Sequence, residues 1–336
     1  WLVGHIWYCW SFPSIGEWMG PGVGYLSWRS RKLRKRALRM ICSRLYRDPG
    51  SGVENSMMIA GAGRSGTTWL ADIIASQLSC RMMFEPFNSH QVPGFERFQY
   101  FHYLRPGEAD DHLYSYCQQV FAGTIRHPWI DRQVDRLRPE CRLIKEIRAN
   151  LFLKWIHDRF PAVPLLFIIR HPCAVVLSRM QLDWWTDADI EPFLAQQDLL
   201  DDFLGDKLAL IRDAKAPEQK HAVIWCVNNL VPLAQFAAHD LNVVYYEHLV
   251  TQPQLEIPRI FSLLGKSYDD SVYSHVRQPS TTTVRSSAIV RGEDQIAAWQ
   301  AKLTPGQVAG ILEVVDGFGL SHLYGEATQP RGVRAA

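Results

Sequence analysis

Residues 60–70 read AGAGRSGTTWL, and the intervals are those of a loop that cradles phosphate. Such a loop in nucleotide hydrolases has a glycine, four residues, a second glycine, a lysine and then serine or threonine. Gly61, Gly66 and Thr68 stand at those intervals, but Thr67 fills the lysine position and the charge comes earlier, at Arg64. Glycines at 61, 63 and 66 let backbone N–H groups approach an anion closely. A helix starting at Thr67 turns its positive end toward the same point. Ser65, Thr67 and Thr68 add hydroxyl donors, and Arg64 adds a fixed charge with several donors.

A second stretch, IIRHPCAVVLSRMQLDW (168–184), puts Arg170 at the end of an apolar run and Ser178 eight residues later. An arginine at a strand end and a serine two turns into the next helix can face one phosphate. The first binds it bidentately and the second donates one hydrogen bond. A triphosphate-cleaving enzyme needs the missing lysine and a metal-binding acid at another strand end. Here that strand ends on Arg170. A guest with less charge to neutralise, such as a phosphosulfate whose transferred group carries one negative charge, fits the two loops without a metal.

Together the two loops resemble the PAPS-dependent sulfotransferase superfamily, where PAPS is 3′-phosphoadenosine 5′-phosphosulfate. RSGTTW (64–69) is similar to the 5′-phosphosulfate loop of that family, and Arg170 with Ser178 to its 3′-phosphate motif. The likeness spans roughly residues 55–325. It implies that Gly63, Arg64, Ser65, Gly66, Thr67, Thr68 and Trp69 hold the 5′ end of PAPS, and Arg170 and Ser178 the 3′ end. YYEHL (245–249) resembles a late-strand segment that sets Tyr246 by the adenine. VRGEDQIAAW (290–299) is similar to a C-terminal stretch closing over the 3′-phosphate, with Arg291 and Gly292 as candidates, although the family's R-K-G is here R-G. Ser286 or Ser287 is a further contact to the sulfuryl group.

Sulfuryl transfer needs a base for the acceptor's proton, a cation for the charge on the leaving oxygen, and in-line positioning. Glu85 lies in MMFEPFNSH (82–90) among Met82, Met83, Phe84 and Phe87. Apolar burial raises a carboxyl pKa and so suits a general base. Glu85 follows Arg64 by 21 residues, a spacing and a string (FEP) that resemble the carbohydrate and tyrosylprotein branches. His90 is the reserve base. Arg64 and Lys145, the latter at the end of CRLIKE, are the cations, unless Lys145 is ion-paired with Glu146 or a nearby acid. Trp184 and Trp185 read as a sugar-stacking floor or as core, and IRHPW (125–129) as a chance echo of IRHPC.

The positioning elements follow from the hydrophobic pattern. MMIAG (57–61), CRLIKEI (141–147), PLLFIIR (164–170) and LNVVYYEHL (241–249) are continuous apolar runs, read as parallel strands covered on both faces. They alternate with helical patterns at 67–79, 150–160, 173–185 and 255–265, and a core helix is expected at 221–240. This is an α/β fold of the P-loop type, three layers with a central, mainly parallel sheet. Ligands on such sheets sit beyond the carboxyl ends of the strands. Residues 86–140 resist assignment.

Of the 36 Lys and Arg residues, nine fall in 29–47, and none of the 34 acidic residues does. That segment reads as a basic amphipathic helix or a solvated arm. Residues 1–28 are apolar but interrupted by Pro13, Glu17 and Pro21, short of the about 18 residues a spanning helix needs. They do not read as a secretory signal, because the basic residues follow them. The expected organisation is an N-terminal segment over 1–50, in which 1–47 can touch a membrane surface. A sulfotransferase domain follows over 51–326, and a tail over 327–336. Seven scattered cysteines without a C-x-x-C pair suggest free thiols in a reducing compartment, hence a cytoplasmic location with or without membrane association. No nucleic-acid partner is expected, and the acceptor is expected to be a hydroxyl or amine on a carbohydrate, glycan or lipid. The alternatives are a P-loop nucleotide-type kinase and a non-catalytic nucleotide- or glycan-binding member.

Overall fold

The structure, a computed structural model, describes residues 38–182, 187–237, 240–283 and 287–331. Five parallel strands form one sheet: β1 (Ser56–Ala60), β2 (Cys80–Phe84), β3 (Cys141–Lys145), β4 (Leu165–Ile169) and β5 (Asn242–Tyr245). Their order is β2-β3-β1-β4-β5. Every residue of β1 to β4 is buried, which is why these strands read as largely apolar runs with little polar alternation. Successive side chains feed different cores. Met58, Met83, Ile144 and Phe167 pack under the helices Leu153–Arg159, Pro172–Met180, Pro217–Gln235 and Pro305–Gly317. Met57, Met82, Leu143 and Leu166 pack under Thr67–Gln77 and Pro253–Leu263. The sheet is therefore the middle of three layers.

The chain leaves β1 toward the β2 edge, returns to β3, and then crosses to β4 on the other side of β1. The strand order reverses between β1 and β4, the position where open α/β sheets leave a crevice at their carboxyl ends. The loops after β1 and β4, at 61–66 and 170–171, open there.

Three local expectations are corrected. The β5 strand stops at Tyr245, and YEHLVT is a helix, Tyr246–Thr251. The edge strand β2 is an element the hydrophobic pattern did not announce, because Arg81 interrupts its apolar run. Arg81 is nevertheless fully buried, held by Asp48 at 2.8 Å, Asp131 at 2.9 Å and the Gly123 carbonyl at 2.7 Å. The cysteines are not all thiols. Cys80 and Cys141 lie opposite each other where β2 meets β3 and form a disulfide, while Cys42, Cys117, Cys173 and Cys226 are free and buried. Sixty-one residues separate the bonded pair, so only strand register reveals it. The argument for a reducing compartment falls with it.

Residues 38–45 are helical, and Leu38, Met40, Ile41 and Leu45 on them are exposed. Tyr46 is buried; its hydroxyl donates to Asp131 at 3.1 Å, and Asp48 pairs with Arg81 and Arg142. The packed domain thus reaches back before residue 51. Among the described residues, no helix is long and apolar enough to cross a membrane. Residues 86–140 fold around the helix Asp111–Phe121, N-capped by Asp110, and an aromatic cluster of Phe87, Phe95, Phe98, Tyr116 and Phe152.

Candidate active site

The loop after β1 is shaped by two close approaches. A Cβ on Gly66, whose φ is +101°, would lie 2.7 Å from Cδ2 of Tyr246. A Cβ on Gly61 would lie 2.4 Å from the Ile168 carbonyl. Gly66 leads straight into Thr67–Gln77, and no side chain caps that helix. Its first N–H groups therefore point into the crevice with their partial positive charge. Arg64 adopts φ +77° and donates from Nε to Ser178 Oγ at 3.0 Å. The β1 loop and the helix after β4 thus meet directly.

Arg170 sits at the opposite lip. Its guanidinium stacks 4.1 Å from the Tyr246 ring centroid, and Nη2 donates to the Gln295 carbonyl at 2.9 Å. Tyr246 in turn donates to Gln295 Oε1 at 2.9 Å and packs on Trp69 with centroids 4.7 Å apart. Trp225 Nε1 fixes the Arg170 carbonyl at 3.0 Å. Burial, reinforced by the charges of Arg170 and Arg179, pulls Arg64 down to about 10. Burial and neighbouring cations both lower a guanidinium's proton affinity, and an arriving oxyanion offsets them.

Two cavities flank this cluster, and both are lined by Arg64, Arg170 and Ser287. The smaller, about 70 Å³, adds Ser178, Gln181, Gln295, Trp299 and Lys302. Its described lining holds three cations and no carboxylate, although Lys302 has an outward ion pair with Glu293. That composition suits a phosphate. The larger, about 290 Å³, is lined by Gly66, Thr67, Thr68, Trp69, Tyr246, Phe84, Glu85, Trp129, Arg132, Lys145 and Arg148.

Not every expected residue gathers here. Ser65 is fully buried, its Oγ without a hydrogen-bond partner among the described residues, and neither it nor Gly63 lines either of these two cavities. Arg291 is turned outward, half exposed and 3.7 Å from Glu293, and it and the αL Gly292 that ends its short helix line neither cavity. Gln295 and Lys302, from the same C-terminal stretch, take the inward positions. Ser286, Trp184 and Trp185 lie outside the described residues. His90 stacks on Tyr100 and is absent from the cavity lining, and His127 Nδ1 accepts from the Trp129 N–H at 3.3 Å.

Glu85 follows β2 with φ +46°, a conformation unfavourable for a residue with a side chain. Its N–H is held by the Lys145 carbonyl at 2.8 Å. Its carboxylate is clamped: Oε1 by Lys145 Nζ and Oε2 by Arg148 Nη1, both at 2.5 Å. Burial pushes the carboxyl up, but the charges of Lys145 and Arg148 and their hydrogen bonds outweigh it and draw the pKa down to about 2. The expected upward shift is therefore reversed. Apolar neighbours along the chain were visible in sequence; cations arriving from β3 were not. For Lys145, burial wins over Glu85 and lowers its pKa. Glu146 does not compete for Lys145. It accepts the N–H groups of Phe87, Ile147 and Arg148 at 2.8–2.9 Å, tying the loops after β2 and β3 together.

Arg132, Arg148, Gln295 and Lys302 are cavity residues that sequence reasoning missed. Arg148 carried a signal: it follows Lys145 by three residues at a strand's carboxyl end. Gln295 lies within VRGEDQIAAW, where Arg291 and Gly292 were the candidates, whereas Arg132, in the short helix Ile130–Gln133, and Lys302 carry no local pattern.

The profile of the Sulfotransferase family matches residues 57–270, more than half of the chain. Similar solved structures include the sulfotransferase domain of a Synechococcus olefin synthase, with 15% identity, TM-score 0.42 and coverage of 79% of this chain and 94% of that one. A mouse sulfotransferase complexed with PAP shows 13% identity, TM-score 0.39 and coverage of 83% and 87%. A sulfotransferase from Alicyclobacillus acidocaldarius shows 15% identity, TM-score 0.38 and coverage of 81% and 98%. No curated protein is matched by the chain.

Proposed function

The chain belongs to the sulfotransferase family, and from that premise we propose that it moves a sulfuryl group from PAPS to a hydroxyl or amine of a carbohydrate, glycan or lipid acceptor. The observation that carries the reading is the junction of Arg64 with Ser178 between two cavities that share Arg64 and Arg170. One nucleotide with an anionic group at each end satisfies both.

In this reading Arg170, Ser178, Gln295 and Lys302 hold the 3′-phosphate. Arg64, Thr67, Thr68 and the free N–H groups of the helix hold the phosphosulfate, which when bound supplies the sulfuryl group. Trp69 and Tyr246 back this subsite. Glu85 takes the acceptor's proton. Clamped by two cations it is a weak base, so its task requires Lys145 to let go. Lys145 turning from Glu85 toward the leaving oxygen stabilises the charge developing there. The same movement removes the first of the two charges that depress Glu85, raising its proton affinity when the acceptor needs it. Arg148 stays behind to orient the carboxylate: burial opposes its charge, but Glu85 outweighs that and keeps it firmly protonated.

The exposed Ile41 and Leu45, beside Arg39 and Arg44, suit peripheral membrane contact of the N-terminal segment.

Radiolabelled PAPS incubated with pooled glycans, phenols, lipids and peptides tests the reaction. Label is expected on an acceptor, with adenosine 3′,5′-bisphosphate protecting the protein from heat and Mg-ATP not doing so. Protection by Mg-ATP alone would turn the reading toward a kinase.

A further inference from the structure

Resting on the sulfotransferase reading, we propose that the acceptor carries an anionic group beside its reacting hydroxyl or amine, and that Arg132 is the residue that recognises it. The larger cavity is lined by five cations, Arg64, Arg132, Lys145, Arg148 and Arg170, and by one carboxylate, Glu85. Arg64 and Arg170 stand at the nucleotide loops. Lys145 and Arg148 are bound to Glu85. Arg132 is left over. Among the described residues no carboxylate lies within ion-pair distance of it, and its guanidinium instead spreads over two aromatic rings, 3.8 Å from the Phe84 centroid and 4.2 Å from that of Trp129. Burial lowers its pKa, Glu85 partly restores it, and Arg148 and Arg39 depress it further. This end of the cavity therefore holds more positive charge than it answers.

The arrangement has the parts of an acidic-sugar subsite. Trp129 and Phe84, edge to face at 5.6 Å, wall this end of the cavity with apolar surface. The two rings hold the Arg132 guanidinium at the cavity lining, and a guanidinium takes a carboxylate or phosphate bidentately. Glu85 lines the same cavity, so the group to be deprotonated and the anion to be held share one chamber. A neutral acceptor would leave Arg132 unanswered. An acceptor with a carboxylate, phosphate or sulfate ester answers it.

The test is equilibrium binding of three small sugars to the full chain saturated with adenosine 3′,5′-bisphosphate, read by tryptophan fluorescence. Methyl glucuronide, glucose 6-phosphate and methyl glucoside present a carboxylate, a phosphate and no charge. At least one charged sugar is expected to bind about tenfold or more tightly than the glucoside, since a charge-assisted pair is worth that much. Which one does so tells carboxylate from phosphate. Arg132→Gln is expected to remove the preference without weakening the glucoside. Arg132→Lys is expected to keep part of it, and the outward Arg291→Gln all of it. Equal binding of the three sugars, or an undiminished preference in Arg132→Gln, overturns the proposal. The preceding titration with the bisphosphate judges the sulfotransferase reading separately. If the nucleotide fails to bind, that reading fails, and the sugar comparison on the bare protein still decides the role of Arg132.

Discussion

The two halves of the crevice are built in different ways. The nucleotide half is made of short sequence: a glycine turn, a helix end, and an arginine eight residues from a serine. Its cations crowd one another, and the described lining of its smaller cavity holds no carboxylate. The acceptor half is made of long-range pairing. Glu85 from the end of β2 is clamped by Lys145 and Arg148, 60 and 63 residues away. The first half is primed by crowded positive charge, whereas in the second the base is held in check by the two cations paired with it. The difference suggests a sequence of events in which the nucleotide, by engaging Lys145, releases the base that its own reaction requires.

The largest effect that separates the halves belongs to Glu85→Gln. Loss of a general base costs roughly 10²- to 10⁴-fold in turnover. Binding of adenosine 3′,5′-bisphosphate is expected not to weaken, because the carboxamide leaves the nucleotide loops in place and frees Lys145 from its ion pair. Titration calorimetry beside a turnover assay reads both, and equal loss of binding would erase the distinction. Next comes Arg170→Ala, expected to weaken nucleotide binding by about 30- to 100-fold, the worth of a charge-assisted contact, while leaving the acceptor's KM unchanged. Gly66→Ala places a Cβ 2.7 Å from the Tyr246 ring at φ +101°. It is expected to destabilise the fold by about 1–3 kcal/mol in a urea melt. Lys302→Ala, at a cation already paired outward with Glu293, is expected to cost only about three- to tenfold in bisphosphate affinity.

The pH dependence of stability probes the clamp. Glu85 has a folded pKa of about 2 against an ordinary 4.5. A depressed carboxyl contributes stability above its unfolded value and loses it as pH falls through the folded one. Its contribution is therefore full above pH 4.5 and fades toward pH 2. In urea melts across that window Glu85→Gln is expected to flatten the loss relative to the unaltered chain. An unchanged slope would mean that the clamp is not closed in the free protein.

Much of the nucleotide half was legible in the sequence because its parts are local. The spacing of Gly61, Gly66 and Thr68, and of Arg170 and Ser178, survives in one dimension. The strands β1, β3, β4 and β5 were likewise announced by apolar runs. The acceptor half was not, for the opposite reason. The sequence shows Glu85 among Met82, Met83, Phe84 and Phe87 but cannot show that β3 brings two cations to it, so the direction of its pKa shift was misjudged. Arg81 hid β2 by looking like a surface residue, although Asp48 and Asp131 neutralise it inside the protein. Arg132 and Lys302 carry no motif; only the fold brings them to the cavities.

The central claim is that a single adenine nucleotide bridges the turn at 61–67 and the Arg170–Ser178 pair. Titration of adenosine 3′,5′-bisphosphate and adenosine 5′-monophosphate into the same protein measures it directly. The account predicts that the bisphosphate binds about 100-fold more tightly, as two charge-assisted contacts imply, and that Ser178→Ala narrows the gap. Equal affinity for the two nucleotides, or a gap indifferent to Ser178, would contradict it.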